Sequence, residues 1–427
     1  MATEPAGGAD HLTRILRRVT LRLLPLLVLL YTVAYVDRSV LGFAKLQLAA
    51  DIGLSDTAYG LGAGLFFIGY FLCEVPSNLI LTRVGARRWF ARILVSWGAV
   101  TVAMAAIRSP TAFYVLRFLL GAAEAGLYPG VIFFLTRWYP QRHLARVLGL
   151  FLLAQPFALI ATGPLSGALL GLDGAAGLRG WQWLFLVSGV PAILLAWPTL
   201  LLLPDDPAAA RWLSPADRAR LEQALATDAP EKTSEHRALD ALRDRRVLRL
   251  AFAFLPFPLA VYGMTLWLPT LLADRGAGTM TAGLLFAVPY VFALAALLTV
   301  PRWSDRSGDR ERYVIANALV AGLGLAMSAA SPGLLLPLAG LCLAAFGLYG
   351  AQSVFWTLPA RLLSGAQTAV GIAVINSVGN LGGYVGPFAV GVIKDRTGSL
   401  TNGIYLLAVG LVLTVALLAR RRLAAPT

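Results

Sequence analysis

The sequence predicts an all-α membrane protein of twelve transmembrane helices in two pseudo-symmetric six-helix bundles. Three observations predict it. Apolar runs of bilayer length recur along the chain, basic residues concentrate in alternate loops, and short motifs repeat between the two halves.

The apolar runs come first. Of 427 residues, 58% are hydrophobic and only 14% are charged, where a soluble domain carries about a quarter charged. Runs of roughly 20 apolar residues each suffice to cross a bilayer core. They place spans near 21–48, 57–82, 89–107, 111–134, 146–170, 181–203, 247–272, 280–300, 313–330, 334–358, 367–392 and 400–419. An even number puts both termini on one side.

The charge pattern says which side. A net charge of +14 could suggest a nucleic-acid partner, but its distribution is topological. The N-terminus and alternate loops hold Arg14, Arg17, Arg18 and Arg22; Arg83, Arg87, Arg88 and Arg92; Arg137, Arg142 and Arg146; the run from Arg211 to Arg249; Arg302, Arg306, Arg310 and Arg312; Arg361; and Arg420, Arg421 and Arg422. The opposite side has only Lys45, Arg108, Arg179, Arg275, Lys394 and Arg396. The positive-inside rule therefore places both termini in the cytoplasm, and the chain is expected in the inner membrane of a bacterial cell. Anionic lipid, not nucleic acid, is the expected partner of the basic loops. The first apolar run is too long for a signal peptide and contains Asp37 and Arg38, so it reads as a retained span. Cys73 and Cys342 lie within spans and imply neither a disulfide framework nor a thiolate metal site. His11, His143 and His236 fall in cytoplasmic segments, and no cofactor or metal is expected.

The repeat divides the chain. Gly163-Pro164 in the fifth span recurs as Gly386-Pro387 in the eleventh, Arg83-Val84-Gly85 as Arg306-Ser307-Gly308, and Leu127-Tyr128 as Leu348-Tyr349, all at nearly one offset. A duplicated six-helix unit follows: a bundle over 1–203, a cytoplasmic linker over 204–246, and a second bundle over 247–427. Such paired halves place a transport site at midplane between them. In the linker, Ser214, Pro215 and Asp217 form a helix start with a capping box, predicting a short amphipathic helix near 214–227.

Five charged residues interrupt apolar runs: Asp37, Arg38, Glu74, Arg117 and Glu124. A charge at mid-bilayer costs at least ~2.5–3.5 kcal/mol on insertion scales, so each points to function. Arg117 and Glu124 are seven residues apart and share a helix face, about 10 Å apart along the axis. Asp37-Arg38 is their natural partner across the bundle. Two readings stand: a static salt-bridge network pinning two spans, or a site where anion and proton meet.

Ordered motifs cover nearly the whole chain. They are Tyr35-Val36-Asp37-Arg38; Gly69-Tyr70 with Glu74-Val75-Pro76-Ser77-Asn78; Gly85-Ala86-Arg87-Arg88-Trp89; Arg117 through Gly126 with Pro129-Gly130; Trp181-Gln182-Trp183-Leu184-Phe185; Trp303-Ser304-Asp305-Arg306; and Gly371 through Gly383. In these the chain resembles a major facilitator superfamily transporter of the anion:cation symporter family, which includes tartrate, phthalate and sugar-acid permeases. The resemblance implies a monomeric secondary transporter importing an organic carboxylate with protons by alternating access. It implies proton acceptors at Asp37 and Glu124, a substrate contact at Arg38 and a coupling arginine at Arg117. Arginine's planar fork suits a carboxylate at any working pH. Glu74 reads as a second proton site, a substrate-selective group or a gate, or equally as a helix contact beside Pro76.

The second half has no acid or base in mid-span. It offers Asn376 and Asn380 one turn apart, flanked by Gly379, Gly382 and Gly383, and Gln352 with Trp356, beside Ser353. Asn376, Asn380 and Trp356, with Tyr70 and Gln155 from the first half, are candidate substrate contacts. The glycines alone read as close helix packing. The gating motif implied by the resemblance falls on Arg83, Gly85 and Arg87 in the first half and Asp305 and Arg306 in the second. Thr82 stands where the first half's motif has an acid, which implies weaker locking or compensation by a group such as Glu74.

Other classes fit less well. The chain lacks H-E-x-x-H, a G-x-S-x-G elbow and a P-loop, which argues against an enzyme or an ATP-driven pump. A transporter-like sensor and a proton-driven exporter of the same superfamily remain as alternatives. Two arginines among the buried charges favour an anion over a lipophilic cation.

Overall fold

The computed structural model describes residues 6–227, 244–331, 333–359 and 366–419. His236, Arg361, Arg420, Arg421 and Arg422 lie outside the described residues. The described chain is built of thirteen helices: α1 (Ala6–Ile52), α2 (Asp56–Val84), α3 (Ala86–Met104), α4 (Pro110–Thr136), α5 (Gln141–Leu170), α6 (Gly180–Leu202), α7 (Pro215–Thr227), α8 (Arg245–Asp274), α9 (Thr279–Ser307), α10 (Arg310–Ala330), α11 (Leu335–Phe355), α12 (Ala366–Thr397) and α13 (Leu400–Ala419). Ten are long and apolar enough to cross a membrane. The two other expected spans are α3, which carries Arg87, Arg88 and Arg92 in its first turns, and α12, rich in glycine and asparagine. Arg87, Arg88 and Arg92 are exposed at the start of α3, which packs on α6 and α4, while α12 packs against α2, α8 and α13.

The repeat in sequence is a repeat in packing. In the first half α1 packs on α5 and α6, α3 on α6, and α2 on α4. Six spans later the same pairs recur: α8 on α12 and α13, α10 on α13, and α9 on α11. The halves meet across α2–α12 and α5–α9, a pair of contacts that the same pseudo-twofold exchanges. Glycine makes these seams close. A Cβ on Gly163 would run into the carbonyl of Gly283, and one on Gly60 would clash with the backbone at Pro387.

These cross-half contacts lie in the half of the helices farther from the termini. Phe43 meets Phe286 at 4.9 Å and Tyr59 meets Trp267 edge-on at 5.3 Å. Beyond the rings is a polar layer. Lys45 binds Asp56 at 2.6 Å, Lys394 reaches Asp56 at 3.5 Å and Asp274 at 3.4 Å, and Asp395 accepts from the backbone N–H groups of Asp56 and Thr57 at 3.1 and 2.7 Å. The conformation is closed on the side away from the termini.

Several expectations are corrected. Lys45 belongs to the buried charges and not to a loop: it is 7% exposed, with its ammonium 4.3 Å from the Trp267 ring centre. The first helix begins well before the apolar run. At 47 residues it is about 70 Å long, longer than a bilayer with its headgroups, so its start projects beyond the membrane. There Leu12, Ile15, Leu16 and Val19 form a buried helical stripe beside the linker helix α7. Helix α7 is less amphipathic than expected, with only Leu221 fully buried. Polar contacts dock it instead. Asp217 accepts from Arg18 at 3.2 Å and pairs with His11 at 2.8 Å, while Trp212 stacks on Trp138. Ser214 caps the helix by accepting the Asp217 N–H. The carboxylate of Asp217 faces His11 and Arg18 rather than closing a capping box.

Candidate functional site

Where the inner faces of the two halves diverge, toward the termini, they line an open cavity of about 160 Å³. From the first half, Arg38, Tyr70 and Gln155 line it; from the second, Gln352, Ser353, Trp356, Asn376 and Asn380. Helical spacing brings them there. Tyr31, Tyr35 and Arg38 follow at i, i+4 and i+7 on α1, and Asn376 and Asn380 at i, i+4 on α12.

Arg38 is the charged centre of this wall. Its Nε and Nη2 both donate to Oε1 of Glu124, at 2.9 and 2.7 Å, and its Nη1 reaches the Tyr262 hydroxyl at 3.5 Å. The guanidinium also lies 5.1–5.4 Å from the rings of Tyr35, Phe66 and Tyr70. Glu124 is fully buried behind Arg38, and its Oε2 has no hydrogen-bond partner. The pair thus crosses from α1 to α4 with the arginine on the cavity side.

Asp37 is not part of that pair. Successive helical residues point about 100° apart, so Asp37 turns away from the cavity to α3. Its Oδ2 accepts from Trp97 Nε1 at 2.9 Å and Thr101 Oγ1 at 3.1 Å, and its Oδ1 is unpartnered. Arg117 keeps the face shared with Glu124 but is buried against α2. It donates to the carbonyls of Gly62 and Ala63 and lies over Phe66, with Nη1 unpartnered. The four charges expected as one linked site are therefore one ion pair and two separately held groups. Glu74 is half-buried on α2 outside the cavity lining, its carbonyl accepting from the Asn78 amide at 2.8 Å.

Helix α4 breaks immediately after Glu124. Gly126 sits at φ 90°, and the Ser77 hydroxyl donates to the freed Ala125 carbonyl at 2.7 Å. Trp89 Nε1 donates in turn to Ser77 at 3.0 Å. A Cβ at Gly126 would collide with Ser77. This chain ties the break beside Glu124 to the start of α3, where the expected gating motif lies.

In that motif Gly85 adopts φ 92° between α2 and α3. The acid that meets this loop is Asp205, beyond the end of α6: it accepts the Arg87 N–H at 2.9 Å. Asp205, and not Glu74, is thus the acid in contact with this loop. Thr82 is turned to its own helix, donating to the Leu79 carbonyl, and Arg83 is exposed. In the second half Asp305 pairs with Arg310 at 3.2 Å, and Arg306 is exposed.

Much of the cavity wall is aromatic: Tyr31, Tyr35, Phe66, Phe67, Tyr128, Phe254, Tyr262 and Tyr349 join Tyr70 and Trp356. Buried-charge reasoning passed over these rings. The i, i+4, i+7 run ending at Arg38 was the readable signal. The glycines of α12 make room for them, since Gly379 and Gly383 face the rings of Phe254 and Phe67 at 2.5–2.8 Å from where a Cβ would sit. Gln155 spans the halves, donating to the Tyr349 hydroxyl at 3.2 Å.

Comparison with known proteins agrees with this geometry. The sequence model of the Major Facilitator Superfamily matches residues 27–387. A quinolone resistance transporter of Acinetobacter baumannii is 50% identical over 413 residues, covering 95% of each chain. A putative tartrate transporter of Agrobacterium vitis is 43% identical over 410 residues, covering 96% of this chain and 91% of its own. The xylose transporter XylE from E. coli, in a partially occluded inward-open conformation, superimposes with a TM-score of 0.74 at 14% identity, covering 93% of this chain and 99% of its own. The chain belongs to the Major Facilitator Superfamily and is a multi-pass membrane transporter, not an enzyme.

Proposed function

We propose that this transporter carries an organic carboxylate together with protons, importing it by alternating access between the two halves. One observation supports this most strongly: the guanidinium that Arg38 presents on the cavity wall is shared with a buried carboxylate, Glu124, at 2.7–2.9 Å. An incoming carboxylate and ionised Glu124 compete for the same donors. Protonating Glu124 releases Arg38 to the anion; losing that proton returns Arg38 to Glu124 and expels the anion. Asp37, buried against α3, is assigned a second proton, and Arg117 the role of holding α4 against α2 while the pair opens. Tyr70, Gln155, Trp356, Asn376 and Asn380 contact the substrate. The gating loops, with Arg83, Gly85 and Arg87 in one half and Asp305 and Arg306 in the other, control the cytoplasmic opening. The protein works as a monomer in the inner membrane with both termini cytoplasmic, as its basic loops favour.

A relative named for quinolone resistance favours a second reading, in which the same exchange drives export. Uptake of labelled benzoate, gluconate and tartrate into proteoliposomes at two pH values, with protein-free vesicles as control, tests both. Import coupled to inward proton flow supports symport. Stimulation by an opposed proton gradient supports export, and pH-independent entry overturns proton coupling.

A further inference from the structure

The cavity wall also bears on which carboxylate is carried; the inference rests on the carboxylate reading above. We propose that the substrate is a monocarboxylate borne on a single aromatic ring. Three independent features of the cavity point there.

Size is the first. A cavity of about 150 Å³ holds one benzene ring, and this one measures about 160 Å³. Charge is the second. Arg38 is the one cation among the described residues that line the cavity, since Arg117 is turned to α2. A monoanion on Arg38 with Glu124 protonated leaves the site neutral, whereas a dianion leaves a buried charge uncompensated.

The third feature is the chemistry of the wall. Rings gather around the guanidinium itself, with Phe66 and Tyr70 within 5.2 Å. A carboxylate attached directly to a ring places that ring among them. On the opposite wall Phe254 and Trp356 lie 4.6 Å apart. Ser353 and Gln155 are already engaged, with Gly350 and Tyr349, and the amides of Gln352, Asn376 and Asn380 stand beside these rings.

Binding to the purified full-length protein tests this with five probes: benzoate, cyclohexanecarboxylate, gluconate, tartrate and benzamide. Benzoate is expected to bind tightest, with cyclohexanecarboxylate about tenfold weaker from the loss of ring–ring contacts. Gluconate and tartrate should be weaker still. Trp356→Leu should bring the benzoate-to-cyclohexanecarboxylate ratio toward one, and a ratio within one sample is insensitive to the fraction folded. Gluconate or tartrate binding as tightly as benzoate overturns the aromatic class and leaves the carboxylate reading standing, as does cyclohexanecarboxylate equal to benzoate. Benzamide matching benzoate, or no carboxylate binding at all, overturns both.

Discussion

Replacing Glu124 with Gln separates proton coupling from anion binding. In the wild type both Nε and Nη2 of Arg38 are committed to Glu124 Oε1, and Glu124 has no exposure. Removing one partner of a buried ion pair costs ~3–5 kcal/mol. Arg38 borders the cavity at 13% side-chain exposure, so the lower end applies. That interaction energy is what an anion must replace when Glu124 is ionised. Above the pH at which Glu124 ionises, wild-type affinity should therefore fall about tenfold per pH unit, since each unit corresponds to ~1.4 kcal/mol. Glutamine has no proton to lose, so the affinity of Glu124→Gln should be flat with pH. The proton taken up by Glu124 adds about tenfold accumulation per unit of pH gradient at zero membrane potential. The variant should exchange labelled for unlabelled anion yet lose that tenfold. The assay is uptake and counterflow in proteoliposomes, with protein-free vesicles correcting for passive entry of neutral acid. Full accumulation by Glu124→Gln, or an affinity as pH-dependent as the wild type's, would refute the competition for Arg38.

Other perturbations read different parts of the mechanism. Arg38→Lys keeps the charge but loses the fork that holds Glu124 through two nitrogens, so transport should fall at least about tenfold; unchanged uptake would count against carboxylate recognition there. Asp395→Asn removes the charge that binds two N–H groups of α2 across the far-side closure. For this exposed contact about 1 kcal/mol, or roughly fivefold in population toward the outward-open form, is expected, read as faster labelling of a cysteine at Ala63 from outside. Unaltered labelling would remove Asp395 from the closure. Ser77→Ala strands the Ala125 carbonyl and the Trp89 N–H, which should cost ~1–3 kcal/mol of stability and lower the melting temperature more than Ser96→Ala, whose hydroxyl donates only within its own helix.

The sequence carried different parts of the molecule with different clarity. Long apolar runs and the Gly-Pro repeat were legible because bilayer length and duplication leave a pattern independent of neighbours. The start of α1 was not, since its buried stripe at Leu12, Ile15, Leu16 and Val19 is covered by a linker helix distant in sequence. Lys45 was assigned to a loop because apolar runs do not reveal that Asp56 and Trp267 enclose it. Within the site, Arg38, Tyr70, Gln155, Trp356, Asn376 and Asn380 were named from residue type, spacing and family pattern, and all six line one cavity. What was not legible is that Asp37 and Arg117 are hydrogen-bonded to α3 and α2 rather than directly to the Arg38–Glu124 pair. Neighbouring charges on a helix diverge by about 100°, and only the positions of α2 and α3 decide where each one ends. The break at Gly126 was equally hidden, because it depends on a hydroxyl from another helix at Ser77.

Proton uptake on anion binding is the most direct measurement of the exchange at Arg38. The purified protein, lightly buffered above the pH at which Glu124 ionises, is titrated with the tightest carboxylate of the panel while the pH of the solution is followed. Binding should draw close to one proton from solution per anion in the wild type and none in Glu124→Gln. Saturable binding to the wild type with no proton uptake would contradict the coupling of Arg38, Glu124 and the transported anion.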